Sequence, residues 1–122
     1  MDIAKHLGAR IEIHADGSVS ARIDDIQPYH LGGQEAGVIN GVVLLGLLDC
    51  AMGAASIVQL RGERQATIEL SAKIMRAVPA RPVTAIGTVL SASRDLVFCQ
   101  ATIADENGRV AVHGTGVMKK LI

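Results

Sequence analysis

The chain has 122 residues, enough for one ordinary domain built around one hydrophobic core. Apolar residues make up 49%, which argues against disorder; twelve basic residues balance twelve acidic ones, which excludes a global field that would attract nucleic acid or an anionic membrane. Aromatics are only 2%, with no Trp, so the core has to be built from Val, Ile, Leu, Ala and Met.

In chain order, the opening "MDIAKHLGAR" has no long apolar stretch behind a basic start, so it is not a signal peptide. In "RIEIHADGSVSARID", Ile11 and Ile13 alternate with polar residues, Asp16-Gly17 supplies a tight turn, and Val19, Ala21 and Ile23 alternate again. This pattern predicts a β-hairpin. "QPYHLGGQEAG" follows as a loop marked by Pro28, Gly32, Gly33 and Gly37. Asn40 is a favoured N-cap, and from Gly41 to about Leu60 the chain has helical length and few breakers. The helix is apolar almost all round and should be buried on most sides.

That segment is also long enough to span a bilayer. Asp49 near its centre would cost roughly 2.5–3.5 kcal/mol on insertion, and no aromatic belt flanks it, so it reads as a core helix of a protein that does not enter the membrane. Cys50 and Cys99 have no metal spacing and no CxxC partner. Both read as buried thiols in a reducing, cytoplasmic setting. No cluster of His, Cys and acids suggests a metal, and no cofactor is expected.

Beyond "RGERQ" the period becomes two. "TIELSAKIMR" predicts a strand with Ile68, Leu70, Ala72 and Ile74 on a buried face and Thr67, Glu69, Ser71 and Lys73 opposite. Pro79 and Pro82 end it. "VTAIGTVLSAS" and "LVFCQATIAD" are two more strands, joined at Ser93-Arg94-Asp95. Asn107-Gly108 then turns the chain into "RVAVHGTGVMKKL". A helix apolar on all sides needs a curved sheet around it, and the downstream meander can supply one. Gly87, Gly114 and Gly116 fit close helix approach or sheet bending. The expected class is α+β: a hotdog fold, one long central helix wrapped by a curved antiparallel sheet, as a single domain over residues 1–122.

At this point the sequence resembles the hotdog-fold acyl-CoA thioesterases, most of all those of the phenylacetic-acid-degradation (PaaI-like) type. The pattern of that type is a loop, a His-Gly-Gly helix start, an acid nine positions after the His, and a strand of the "TVDLSVNFLRP" kind. A "GR" turn and a terminal "DG-x-x-x-A-x-G-x-G" strand follow. Here "NGV" at Asn40-Gly41-Val42 stands for His-Gly-Gly, and Asp49 lies nine residues after Asn40. "TIELSAKIMRAV" matches the strand with Ala77 for Pro, "SASRDL" the turn with Ser93 for Gly, and "ENGRVAVHGTGV" the last strand. The resemblance covers residues 25 to 120.

Thioester hydrolysis needs an activated water or a carboxylate nucleophile, and a donor for the oxyanion that forms. Asp49 can supply the first, as base or as nucleophile. By resemblance the donor is the Gly41 amide at the helix N-terminus, where unpaired N–H groups favour negative charge. Asn40 in place of His either orients the substrate by its amide or only caps the helix. The resemblance puts Gln34, or alternatively His30, where a polar side chain binds the attacking water, and Val42 against the substrate. Glu69 is the understudy for Asp49. Coenzyme A carries phosphates, for which Arg76, Arg94, Lys119 and Lys120 are the candidate contacts.

Gly41 and Asp49 are eight residues apart on one helix, about 12 Å at 1.5 Å per residue. A reacting carbonyl must lie within roughly 3–3.5 Å of its attacking group. One helix cannot easily serve one thioester with both. Two antiparallel helices related by a two-fold axis can, which is the arrangement of the family's dimer. The expected partners are therefore an acyl-CoA substrate and a second copy, as a homodimer or a dimer-of-dimers tetramer. The alternative is an acyl-CoA-binding hotdog protein without turnover.

Overall fold

The computed structural model describes residues 2–32 and 37–121. A short helix α1 (Asp2–Leu7) leads into the hairpin β1 (Ala9–Ile13) and β2 (Val19–Ile23). A single 3-10 turn over Pro28–His30 precedes the long helix α2 (Gly41–Gln59). The strands β3 (Gln65–Ile74), β4 (Val83–Ala92), β5 (Leu96–Ala104) and β6 (Val110–Lys120) complete one antiparallel sheet of order β1-β2-β4-β5-β6-β3. Its concave face wraps α2, the hotdog arrangement expected from the sequence. Helix α1 was not foreseen: at six residues it is too short to show a periodic pattern.

The turns form where the local chemistry demands. Gly17 and Gly108 adopt φ of 89° and 81°, and Asp16 and Asp105 each accept backbone N–H groups within their turns. Along β5, Val97, Cys99, Ala101 and Ile103 are buried and alternate with residues turned outward. Val112, Gly114, Gly116 and Met118 do the same along β6. Leu47, Leu48 and Met52 of α2 are fully enclosed, each stabilising the fold by roughly 1.5–3 kcal/mol.

The poverty in aromatics has a structural counterpart. A Cβ on Gly87 would lie 2.6 Å from the carbonyl oxygen of Ala51, and one on Gly114 would lie 2.9 Å from Leu48 Cδ1. The helix lies so close to the sheet that the positions beneath it take glycine or alanine, leaving no room for rings. Helix α2 alone among the described residues is long and apolar enough to cross a bilayer, and most of it is buried against this sheet.

Two expectations about β3 need correction. The strand does not continue the meander beside β4 but lies at the far edge, paired with β6. The link that carries the chain back, through Val78 and Pro79, pairs with the segment before α2: Ile39 N–H donates to Val78 O and Ala80 N–H to Gly37 O. Nor does β3 present one buried face. A bulge between Thr67 and Glu69 removes Ile68 from the alternation, so Thr67, opposite the buried Met118, shares the helix side with Leu70. Ile68 and Ile74 are 57% and 47% exposed, since β3 is an edge strand with nothing beyond it.

Candidate active site

Edge strand β3 runs alongside α2 in the opposite sense and touches it at three levels. At the helix start, a Cβ on Gly41 would sit 3.4 Å from Ile74 Cδ1. In the middle, Thr67 Oγ1 donates to Asp49 Oδ1 at 3.1 Å. Near the end, Gln65 Nε2 donates to Gly53 O at 2.9 Å, and Ser56 Oγ donates to Gln65 Oε1. The last contact closes the flank, burying Ser56 completely. The first two leave it open, which explains how a carboxylate sits in so apolar a helix. Asp49 lies beside the edge strand of the sheet, half-buried rather than enclosed.

Asp49 is half-buried, and its Oδ2 receives no hydrogen bond from the described residues. Val42 (82% exposed) and Leu45 on α2, and Ile68, Ile74 and Met75 on or just after β3, are apolar side chains left open to solvent. Cys50, the next residue along α2, faces the core instead. Burial pushes its thiol up to about 11, helped by the neighbouring Asp49 charge. It is a packing residue and not a nucleophile.

The N-terminus of α2 is capped by Asn40, whose Oδ1 accepts the Val43 N–H at 2.8 Å. Its Nδ2 donates to Tyr29 O and Leu31 O at 3.3 and 3.2 Å. Both amide hydrogens are thus engaged within the protein, and the capping role accounts for the side chain. Among the described residues, no acceptor takes the N–H of Gly41 or Val42. These are the unpaired amides that a helix start leaves over. Gly41 is exposed, so a carbonyl can approach its amide without meeting a side chain.

The other expected site residues are scattered. His30, expected as a loop ligand, is fully buried, with Nδ1 accepting from Gln27 N–H at 2.9 Å and Nε2 2.6 Å from Leu7 O. Its two nitrogens face backbone, so it does not line a substrate cleft. Gln34 lies outside the described residues. Glu69 pairs in register with Val117 and so points away from Asp49, on the outer face. Arg76 lies at the Gly41 end of β3 and donates to Val110 O at 3.0 Å. Arg94, Lys119 and Lys120 line a cavity of about 400 Å³ at the opposite end, with Asp95 and Leu121. Lys120 is paired with Glu63 at 2.6 Å; Arg94 and Lys119 have no acidic partner among the described residues. Thr67 was missed as a partner of Asp49, because strict alternation puts it on the wrong face and only the bulge reverses that.

No curated protein matches the chain in sequence. Similar folds occur among solved structures. A mutant of the phenylacetic acid degradation protein PaaI from Thermus thermophilus superposes with a TM-score of 0.83 at 22% identity, over 99% of this chain and all of that one. A thioesterase from Haemophilus influenzae gives 0.85 at 21% identity, over 97% of this chain and 81% of that one. A Bacillus halodurans protein solved with CoA gives 0.86 at 20% identity, over the whole of this chain and 80% of that one. In sequence, residues 36–112 match the family model of the thioesterase superfamily. That span covers well over half the chain and contains the capped start of α2, Asp49 and Thr67, so the chain belongs to the thioesterase superfamily.

Proposed function

We propose that the protein hydrolyses an acyl-CoA or related thioester to the free acid and thiol, at a site shared between two copies of the chain. The observation that carries this reading is the open flank of α2. It holds an amide without an acceptor at Gly41 and a carboxylate with a free oxygen at Asp49, about 12 Å apart along the helix and set in exposed apolar surface. Two such flanks packed antiparallel bring each Gly41 near the other copy's Asp49 and cover Val42, Leu45 and Ile74. The thioester carbonyl accepts from Gly41 N–H, whose position at the positive end of the helix stabilises the oxyanion. Asp49 of the other copy acts as general base on a water, or attacks as nucleophile to give a mixed anhydride that water then hydrolyses; in either case the C–S bond breaks and the thiolate takes up a proton. Arg94 and Lys119 offer cationic partners for the phosphates of coenzyme A.

A second reading, acyl-CoA binding without turnover, is favoured by one observation. The Asn40 side chain, where the resembling family has His, is engaged by backbone and leaves nothing at that position to touch a substrate. A panel of acyl-CoA thioesters assayed for thiol release separates the two, with Asp49→Asn as control. Hydrolysis predicts release that falls by at least about 100-fold in the folded Asp49→Asn protein, the scale of an acid–base group. Wild-type rates in that variant would sink the assignment of Asp49. Calorimetric binding of a thioester without any release would favour the second reading.

A further inference from the structure

Three successive backbone carbonyls converge on Asn40. Tyr29 O and Leu31 O take the two Nδ2 hydrogens, and His30 O takes the Asn40 backbone N–H at 2.9 Å. Ser, Thr or Asp would cap α2 as well as Asn does. None of them offers two donors and an acceptor from one short side chain: Ser and Thr, with one donor, would leave at least one of Tyr29 O and Leu31 O without a partner, and Asp would leave both. The fit is close on the other side too, since a Cβ on Gly32 would fall 2.6 Å from Asn40 Cβ.

The segment that carries these carbonyls is itself anchored by His30. Because Nδ1 accepts from Gln27 N–H, the ring proton is on Nε2 and donates to Leu7 O, the last residue of α1. The imidazole is fully enclosed, and Gly8, with φ of 74°, passes over it. A continuous set of hydrogen bonds therefore runs from α1 through His30 and Asn40 to the first turn of α2.

We propose that His30 and Asn40 are a pair of positioning residues that fix the direction of the free Gly41 and Val42 amides without touching the substrate. Its catalytic consequence rests on the thioester reading of Gly41; its structural content does not. Two variants test it. Asn40→Asp keeps the helix cap but sets a carboxylate against two carbonyls. His30→Gln keeps a donor for Leu7 O while losing the acceptor for Gln27 N–H. Amide hydrogen exchange should quicken at residue 40, whose N–H donates to His30 O, in both His30→Gln and Asn40→Asp, with Leu47, Leu48 and Ala51 unchanged. In thiol-release assays kcat should fall roughly tenfold or more with KM little altered, as expected when an oriented group is displaced but binding is kept. Unchanged exchange at residue 40 in the folded variants, or a wild-type kcat in Asn40→Asp, would overturn the pair. Quickened exchange in a protein that hydrolyses no thioester would leave the pair standing and remove the thioester reading.

Discussion

Thr67 and Asp49 meet across a β-bulge: the hydroxyl of an edge strand donates to the carboxylate of the central helix at 3.1 Å. Without the extra residue at Ile68, Thr67 would point to the outer face and Asp49 would have no partner there. The bond holds one carboxylate oxygen and leaves the other free for a water or a carbonyl carbon. Thr67→Val keeps the shape and removes the donor, so the thiol-release rate should fall by roughly tenfold through loss of orientation. Stability should change little, because the site is solvent-accessible. Thr67→Ser should restore the rate. Equal rates in Thr67→Val and wild type would show that Asp49 needs no such orientation.

The closeness of helix and sheet makes its own prediction. Gly87→Ala would drive a methyl group into the backbone at Ala51 and Met52, where neither flexible side chain nor open space can give way. Overpacking of this kind costs about 1–3 kcal/mol, and here the obstacle is backbone, so the upper part of that range is expected. Denaturant unfolding measures it. The same change at Gly17 meets no atom within 4 Å, so any cost there comes from the φ of 89° alone.

Much of this was legible in the residues because the signals were local. Asp16-Gly17 and Asn107-Gly108 specify their turns by φ, Asn40 starts α2 by capping it, and alternation along β5 and β6 marks the faces of those strands. What escaped depends on distant partners. The bulge at Ile68 is set by pairing with β6, and no turn or breaker in "TIELSAKIMR" announces it. The placement of β3 beyond β6 follows from the pairing of the 78–80 link with the residues before α2. His30 looked like a loop ligand because the carbonyl it donates to belongs to Leu7, twenty-three residues earlier. Asp49 stood out as the single charge in its run, and the resemblance rather than the spacing named its partner Gly41.

The two thiols supply a test that depends on pH. Burial raises both Cys50 and Cys99 from 9.0 to about 11, so the folded state disfavours their thiolates. At about pH 8 a thiol-reactive disulfide reagent should modify neither residue in the folded protein and both in denaturant. For an acid whose folded pKa is raised, the stabilising effect is complete below the unfolded value and fades as pH climbs past it. Unfolding free energy should therefore decline between about pH 9 and pH 11, and Cys99→Ala should flatten the decline. Rapid labelling of native protein at pH 8 would contradict the burial on which this rests.

The shared-site proposal makes a prediction that no single-chain mechanism can meet. Gly41→Val would block the approach of a carbonyl to its amide, and Asp49→Asn removes the carboxylate. The added Cβ at Gly41 meets only the flexible tip of Ile74, at 3.4 Å, so the valine variant is expected to fold. Each homodimer should be nearly inactive. A mixed dimer has one site with both defects and one with neither, because each site takes its amide from one chain and its carboxylate from the other. Random reassortment of equal amounts gives about half mixed dimers, each with one intact site, hence about a quarter of wild-type activity under closed two-fold symmetry. Differently tagged chains verify the exchange, and sedimentation should show a dimer or tetramer throughout. Mixed dimers without recovered activity would return both groups to one chain, where the helix holds them about 12 Å apart. A carbonyl cannot span that distance, so the same result would also remove either Gly41 or Asp49 from the reaction.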